Sequence, residues 1–396
     1  MSLFKKVNTG KNELAYDAWG RAKSVQDKSL FHGLWTVNIP LSIWYERVND
    51  VVQTGFTNCS SVDGALVVTS GATLNDKTNL RTYRSMRYEP NRGHLYSTAA
   101  IIEAPTAAMR RDFGIFTNEN GVFFRVTSSG LQGVVRTTRT VGGTVEQTVA
   151  LDTTGIDLSK GNIFDVQFQW RGVGNYVFYI NNQEVGRHSF LGTLTELSMS
   201  NPSLPVAFES ENLGANNKMT FGCVDVTSEG GADNGKTYGS IGVSNESGQL
   251  SLTGFNTPLL AVRSKATVNG LINTRDTLAL LLSAYSDNKS FVRVWVTRDW
   301  TAITENTQVW EDFGDGHLEY IEYNPDAVTP MTFDTAKAET VFGCRVPQDG
   351  TYSTSALFEG RTEIYLTVGD MFVFTLHREN GGAHNGGLTF EFAEQI

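Results

Sequence analysis

Phe164-Asp-Val-Gln-Phe-Gln-Trp170 alternates apolar and polar side chains without a break. Successive strand side chains point to opposite faces, so Phe164, Val166, Phe168 and Trp170 share one face and Asp165, Gln167 and Gln169 the other. This predicts a half-buried strand. Arg171-Gly-Val-Gly-Asn175 then supplies residues tolerant of positive φ, Tyr176-Val-Phe-Tyr-Ile180 returns as the next strand, and Asn181-Asn182 turns the chain again. Similar runs predict strands at 65–69, 94–102, 112–117, 121–126, 134–138, 144–151, 205–210 and 219–227, with a hairpin turn at Asn118-Glu-Asn-Gly121. So many short strands fit two stacked antiparallel sheets in a jelly-roll-like sandwich.

Two segments depart from this pattern. Residues 1–45 lack regular alternation yet carry Tyr16, Trp19, Phe31, Trp35, Trp44 and Tyr45, enough aromatic surface to require burial. The segment is either a strap across its own domain or an arm docked on a partner subunit. Ser228-Glu-Gly-Gly-Ala-Asp-Asn-Gly235 has no large apolar anchor and marks a domain boundary. The expected organisation is therefore an N-terminal anchoring arm at 1–45, a β-sandwich at 46–232, and a second, smaller β-sandwich at 233–396. Strands are predicted in the last at 240–244, 250–254, 278–284, 291–297, 363–368, 371–376 and 388–392, with long loops at 304–316 and 324–333.

Composition supports an all-β reading: 39 Gly, 23 Phe and 13 Tyr favour strands and tight turns over long helices. With 40% hydrophobic and 19% charged residues the chain lies far from the disordered class. A net charge of -10 repels phosphate backbones and anionic membranes, so no nucleic acid partner is expected. Arg81, Arg84, Arg87 and Arg92, and Arg136 and Arg139, then read as carboxylate partners within an acidic protein. No apolar run approaches the roughly 18 residues of a membrane span, so no membrane insertion is expected. The polar residues after Met1-Ser-Leu-Phe-Lys-Lys6 do not form a signal core, which implies synthesis in a cytoplasm without export. Cys59, Cys223 and Cys344 are far apart and odd in number, and read as buried free thiols.

A search for chemistry finds no strong constellation. There is no Gly-x-Ser-x-Gly elbow. His32, His94, His188, His317, His377 and His384 are scattered, and the seven-residue spacing of the last two matches no zinc pattern. Asp312-Phe-Gly-Asp-Gly-His-Leu-Glu319 has its acids out of order for a calcium loop and reads as a hairpin turn. Glu209 and Glu211 alternate on one strand and form the best carboxylate pair for glycoside hydrolysis, but strand neighbours commonly occupy a solvated face. The expectation is a protein that is not an enzyme and uses no cofactor and no metal.

The run from Phe164 through Val185, with Leu204-Pro-Val-Ala-Phe-Glu209, resembles the central strands of concanavalin A-like and laminin G-like sandwiches. Ala15-Tyr-Asp-Ala-Trp-Gly-Arg-Ala-Lys23, Ser29-Leu-Phe-His-Gly-Leu-Trp35 and Pro90-Asn-Arg-Gly-His-Leu-Tyr-Ser97 together resemble structural proteins encoded by tailed bacteriophages. That resemblance implies a virion location after assembly in the host cytoplasm, with the other virion proteins of capsid or tail as partners. The arm residues Tyr16, Trp19, Arg21, Phe31, His32, Trp35 and Trp44 would be its interface. Repeated positions on a particle imply a homo-oligomer. The expected function is capsid decoration or a head fibre, with possible adhesion to a host surface glycan. The alternatives are a tail or baseplate component with a carbohydrate-binding domain, and a polysaccharide-degrading enzyme.

Overall fold

The computed structural model describes residues 7–8, 13–14, 27–41, 43–90, 92–103, 108–139, 143–195, 197–215, 217–229, 236–243, 257–268, 271–273, 276–305, 309–313, 317–322, 331–348, 350–354, 365–366, 369–379 and 386–395. The chain divides into two compact units, Met1–Ala232 and Asp233–Ile396. Both are β-structures, and every strand pair among the described residues is antiparallel.

In the first unit the strands are β1 (Val7–Asn8), β2 (Glu13–Leu14), β3 (Asp27–Leu34), β4 (Trp44–Val48), β5 (Val51–Val52), β6 (Cys59–Val62), β7 (Ala65–Thr69), β8 (Lys77–Met86) and β9 (His94–Ile101). They continue with β10 (Met109–Phe116), β11 (Gly121–Thr127), β12 (Gly130–Arg139), β13 (Gly143–Ala150), β14 (Asn162–Gln169), β15 (Asn175–Ile180), β16 (Gln183–Ser189), β17 (Leu204–Asn212) and β18 (Lys218–Glu229). One sheet runs β13-β12-β11-β10-β17-β8-β4-β5; the other runs β16-β15-β14-β9-β18-β7-β6, with β3 also on β18. This is a concanavalin A-like jelly-roll sandwich. Large rings fill its centre: Phe113 lies 5.3 Å from Phe124 and 5.1 Å from Phe164, and Phe208 lies 4.2 Å from Phe221, centroid to centroid. Asn181 and Asn182, with φ of 52° and 68°, form the tight turn between β15 and β16 that their sequence predicts.

Two expectations change. On β14, Asp165, Gln167 and Gln169 are buried as fully as Phe164 and Val166, so this strand is covered on both faces and not half-buried. The part of the aromatic segment from residue 27 onward does not stand apart from the sandwich. Residues 27–34 form β3, hydrogen-bonded to β18, and Trp35 and Trp44 lie in the core against Phe208, at 6.1 and 5.8 Å.

The second unit pairs a five-stranded sheet with a six-stranded one. The first is ordered Lys236–Val243, Gly386–Gln395, Asp276–Ser286 and Gly350–Thr354, with Tyr365–Leu366 also on Asp276–Ser286. The second is ordered Glu311–Phe313, Leu318–Glu322, Thr257–Ser264, Met371–Arg378, Ser290–Thr297 and Glu339–Val346. Phe372, Phe374, Phe390 and Phe392 fill the core. Part of the expected loop at 304–316 is instead the edge strand Glu311–Phe313, where Asp312 pairs with Lys265. In the other expected loop, residues 332 and 333 pair with Ile303–Thr304; residues 324–330 lie outside the described residues.

Candidate functional site

On the eight-stranded sheet of the first unit, strand register aligns one side chain from each of six strands on the face away from the core. The row is Gln132, Arg125, Asp112, Glu209, Asn79 and Arg47, each directly opposite the next. At 4.7–4.9 Å per strand the row is about 24 Å long. Alternation on each strand puts Phe113, Phe124, Phe208 and Leu80 in the core and turns these polar residues outward.

Arg110, at the edge of this row, gathers three carboxylates. Its Nη2 lies 2.5 Å from Glu209 Oε1, its Nη1 3.0 Å from Glu211 Oε2 and its Nε 3.5 Å from Asp112 Oδ2. Arg125 grips Asp112 with two bonds, 2.9 and 2.8 Å, and reaches Glu146 Oε2 at 2.5 Å. Arg136 completes the chain by donating twice to Glu146 Oε1, at 2.9 and 2.8 Å, and once to the Thr117 carbonyl at 2.6 Å. The guanidinium of Arg136 also covers Phe123 at 4.8 Å and Phe116 at 5.6 Å, helping to bury apolar residues on the outer face.

The network separates its carboxylates electrostatically. Burial pushes Asp112 above the usual carboxylate range, against the pull of Arg125 and Arg110. Burial also pushes Glu209 upward, but the Arg110 charge and the Asn79 amide, 2.9 Å from Oε2, hold it below that range. For Glu146, burial is outweighed by its bonds to Arg125 and Arg136, and its carboxyl falls to about 2. Glu209 and Glu211 do share a face, as alternation requires. Glu209 is buried, however, and not solvated, because its partners arrive from strands about 100 residues away. Beside the row, the Tyr45 and Tyr83 rings lie 4.6 Å apart, centroid to centroid, tilted to each other by 37°, and are partly exposed.

Tyr16, Trp19 and Arg21 lie outside the described residues, as does His384. Phe31 packs on the core, while Trp35 and Trp44 are within it; these three rings are taken up by the chain itself. His32 is exposed on β3, with Nδ1 2.9 Å from Asp225 Oδ1. His94 is buried beside Tyr88, and desolvation lowers it to about 4. Of the three cysteines expected to be buried, Cys59 is, but Cys223 is exposed and Cys344 half-buried. Among the described residues, no group of three or more His, Cys, Asp or Glu is placed to hold a metal.

No family model matches the chain, and no curated protein does. Solved structures do share its sandwich. An endo-1,3-β-glucanase from Streptomyces sioyaensis is 12% identical over 51% of this chain and 96% of its own, with a TM-score of 0.39. An endo-β-1,3-glucanase from Pyrococcus furiosus is 10% identical over 52% and 95%, with a TM-score of 0.41. The laminarinase catalytic domain of Thermotoga maritima is 10% identical over 51% and 98%, at 0.39.

These neighbours are named as enzymes, so the expectation of a protein that is not an enzyme is withdrawn. That expectation rested on a missing serine elbow, scattered histidines, the out-of-order acids around Asp312, and a reading of Glu209 and Glu211 as solvated strand neighbours, whereas Glu209 is buried. Spacing along the sequence also concealed the Asp112–Glu209 juxtaposition, which joins strands far apart in the chain.

Proposed function

We propose that the first sandwich recognises a glycan laid along the outer row of its eight-stranded sheet. The charge balance of that row carries the reading. The half-buried Arg125 and Arg47 offset the buried Asp112 and Glu209, while Gln132, also half-buried, can both donate and accept. A neutral polymer rich in hydroxyls, which also donate and accept, suits such a row better than a polyanion or polycation. Tyr45 and Tyr83 offer adjoining ring surface. A place on a virion surface, as the sequence resemblance implies, would make this an adhesion face.

Glycan-array screening of the full chain, followed by calorimetry on the best hit, tests the reading. We expect saturable binding that weakens about 10-fold or more in Arg47→Ala, a partly exposed member of the row. Binding unchanged by Arg47→Ala and Gln132→Ala together would remove this face from consideration.

A second reading has its own observation. Asp112 and Glu209 face each other with protonation ranges pushed apart, the asymmetry that an acid and a base require. Release of reducing ends from a bound polysaccharide, lost in both Asp112→Asn and Glu209→Gln, would support cleavage. Release unaffected by either change would exclude this pair.

A further inference from the structure

Strand β3 carries a constellation that sequence spacing conceals. Ser29 and His32 are three residues apart, which on a regular strand places them on opposite faces. The register of β3 against β18 shifts here: Phe31 pairs with Val226, and the next pair is Ser29 with Thr227, leaving Leu30 as an extra residue. This bulge returns Ser29 to the face of His32. Asp225 lies directly opposite His32 on the same face.

The side chains meet in a fixed order. Ser29 Oγ is 2.6 Å from His32 Nε2, and His32 Nδ1 is 2.9 Å from Asp225 Oδ1. A carboxylate charge beside Nδ1 favours the proton on that nitrogen and leaves the Nε2 lone pair facing the hydroxyl, the relation that lets an imidazole take a serine proton. Ser29 and His32 are both exposed, so a substrate can reach them. None of the three belongs to the row on the other sheet.

We propose that Ser29, His32 and Asp225 form a nucleophilic site acting on accessible carboxylic esters. Ser29 Oγ bonds to the carbonyl carbon as its proton passes to His32 Nε2. The tetrahedral intermediate collapses, the bond to the alcohol oxygen breaks, and that oxygen takes the proton from Nε2. Water then attacks the acyl-serine, gives a proton to Nε2, and releases the carboxylic acid as Oγ recovers its proton. Asp225 is the positioning residue. Because the nucleophile is open to solvent, the developing oxyanion is answered by water, which selects esters with good leaving groups over amides.

Diisopropyl fluorophosphate provides a test on the unmodified full chain: Oγ–P forms, fluoride leaves, and His32 takes the proton. We expect mass spectrometry to place one adduct on Ser29. The chain should also cleave p-nitrophenyl acetate, with Ser29→Ala returning the rate to the uncatalysed background and His32→Gln slowing it about 100-fold. Asp225→Asn should slow labelling of Ser29 at least about 10-fold, with Asp225→Glu recovering part of the loss and both variants keeping the unfolding midpoint of the parent. Absence of a Ser29 adduct, or ester cleavage unchanged in Ser29→Ala, would overturn the proposal.

Discussion

Asp165 sits on β14 opposite Tyr179 and Ser97, wholly withdrawn from solvent, with neither carboxylate oxygen in a hydrogen bond. Burial raises its pKa from 3.8 to about 7, with Ser97 pulling the other way. A carboxyl whose folded-state pKa is raised keeps its proton in the folded protein at pH values where the unfolded chain has lost it. Stability should therefore fall as pH rises from about 4 to about 7 and remain low above that. At 1.36 kcal/mol per pKa unit, the full cost is about 4 kcal/mol at alkaline pH. Asp165→Asn keeps the shape and cannot ionise. Urea unfolding of the parent and variant, followed by tryptophan fluorescence at intervals between pH 4 and 8.5, isolates this group because the other carboxylates cancel in the difference. The variant should gain on the parent by about 1.4 kcal/mol per pH unit within that window and level off above pH 7. A difference that does not change with pH would refute the assignment of a neutral, buried carboxyl to this position.

Trp44→Ala should cost about 3–5 kcal/mol in chemical denaturation, since it empties a buried site shared with Trp35 and Phe208; a loss under about 1 kcal/mol would contradict its core position. Gly114→Ala should cost about 1–3 kcal/mol, read by calorimetric melting, because the added carbon would lie 2.7 Å from the Val122 carbonyl and 2.6 Å from Phe123 Cβ. Gly161→Ala, whose added carbon meets nothing within 4 Å, is the control and should leave the melting temperature nearly unchanged.

Local pattern made much of the sandwich legible. The run Phe164–Trp170 reads as a strand because its apolar residues recur at period two, and Asn181-Asn182 reads as a turn because asparagine tolerates positive φ. The same alternation misassigned the environment of the polar face: nothing near Asp165 in sequence announces that it is buried. Glu209 failed for a related reason. Its solvation depends on Arg110, and only the β10–β17 pairing brings them together. The tryptophans at 35 and 44 were recognisable as anchors by size, but whether they anchor to the chain itself or to a partner is decided by tertiary packing. The Ser29–His32–Asp225 set was concealed twice, once by the separation of Asp225 and once by a bulge that inverts the face of a residue three positions away.

The pairing of β3 with β18 also orders events in time. Asp27–Leu34 is made early, yet its hydrogen-bonding partner ends at Glu229, nearly the whole length of the first unit later. Contacts so distant in sequence carry a large loop-closure cost and slow folding. On the ribosome, β3 and the rings of Phe31, Trp35 and Trp44 must wait while the intervening strands form. One of the earliest strands to be made is thus among the last to be paired, and closure of the sandwich becomes the step most exposed to competing association.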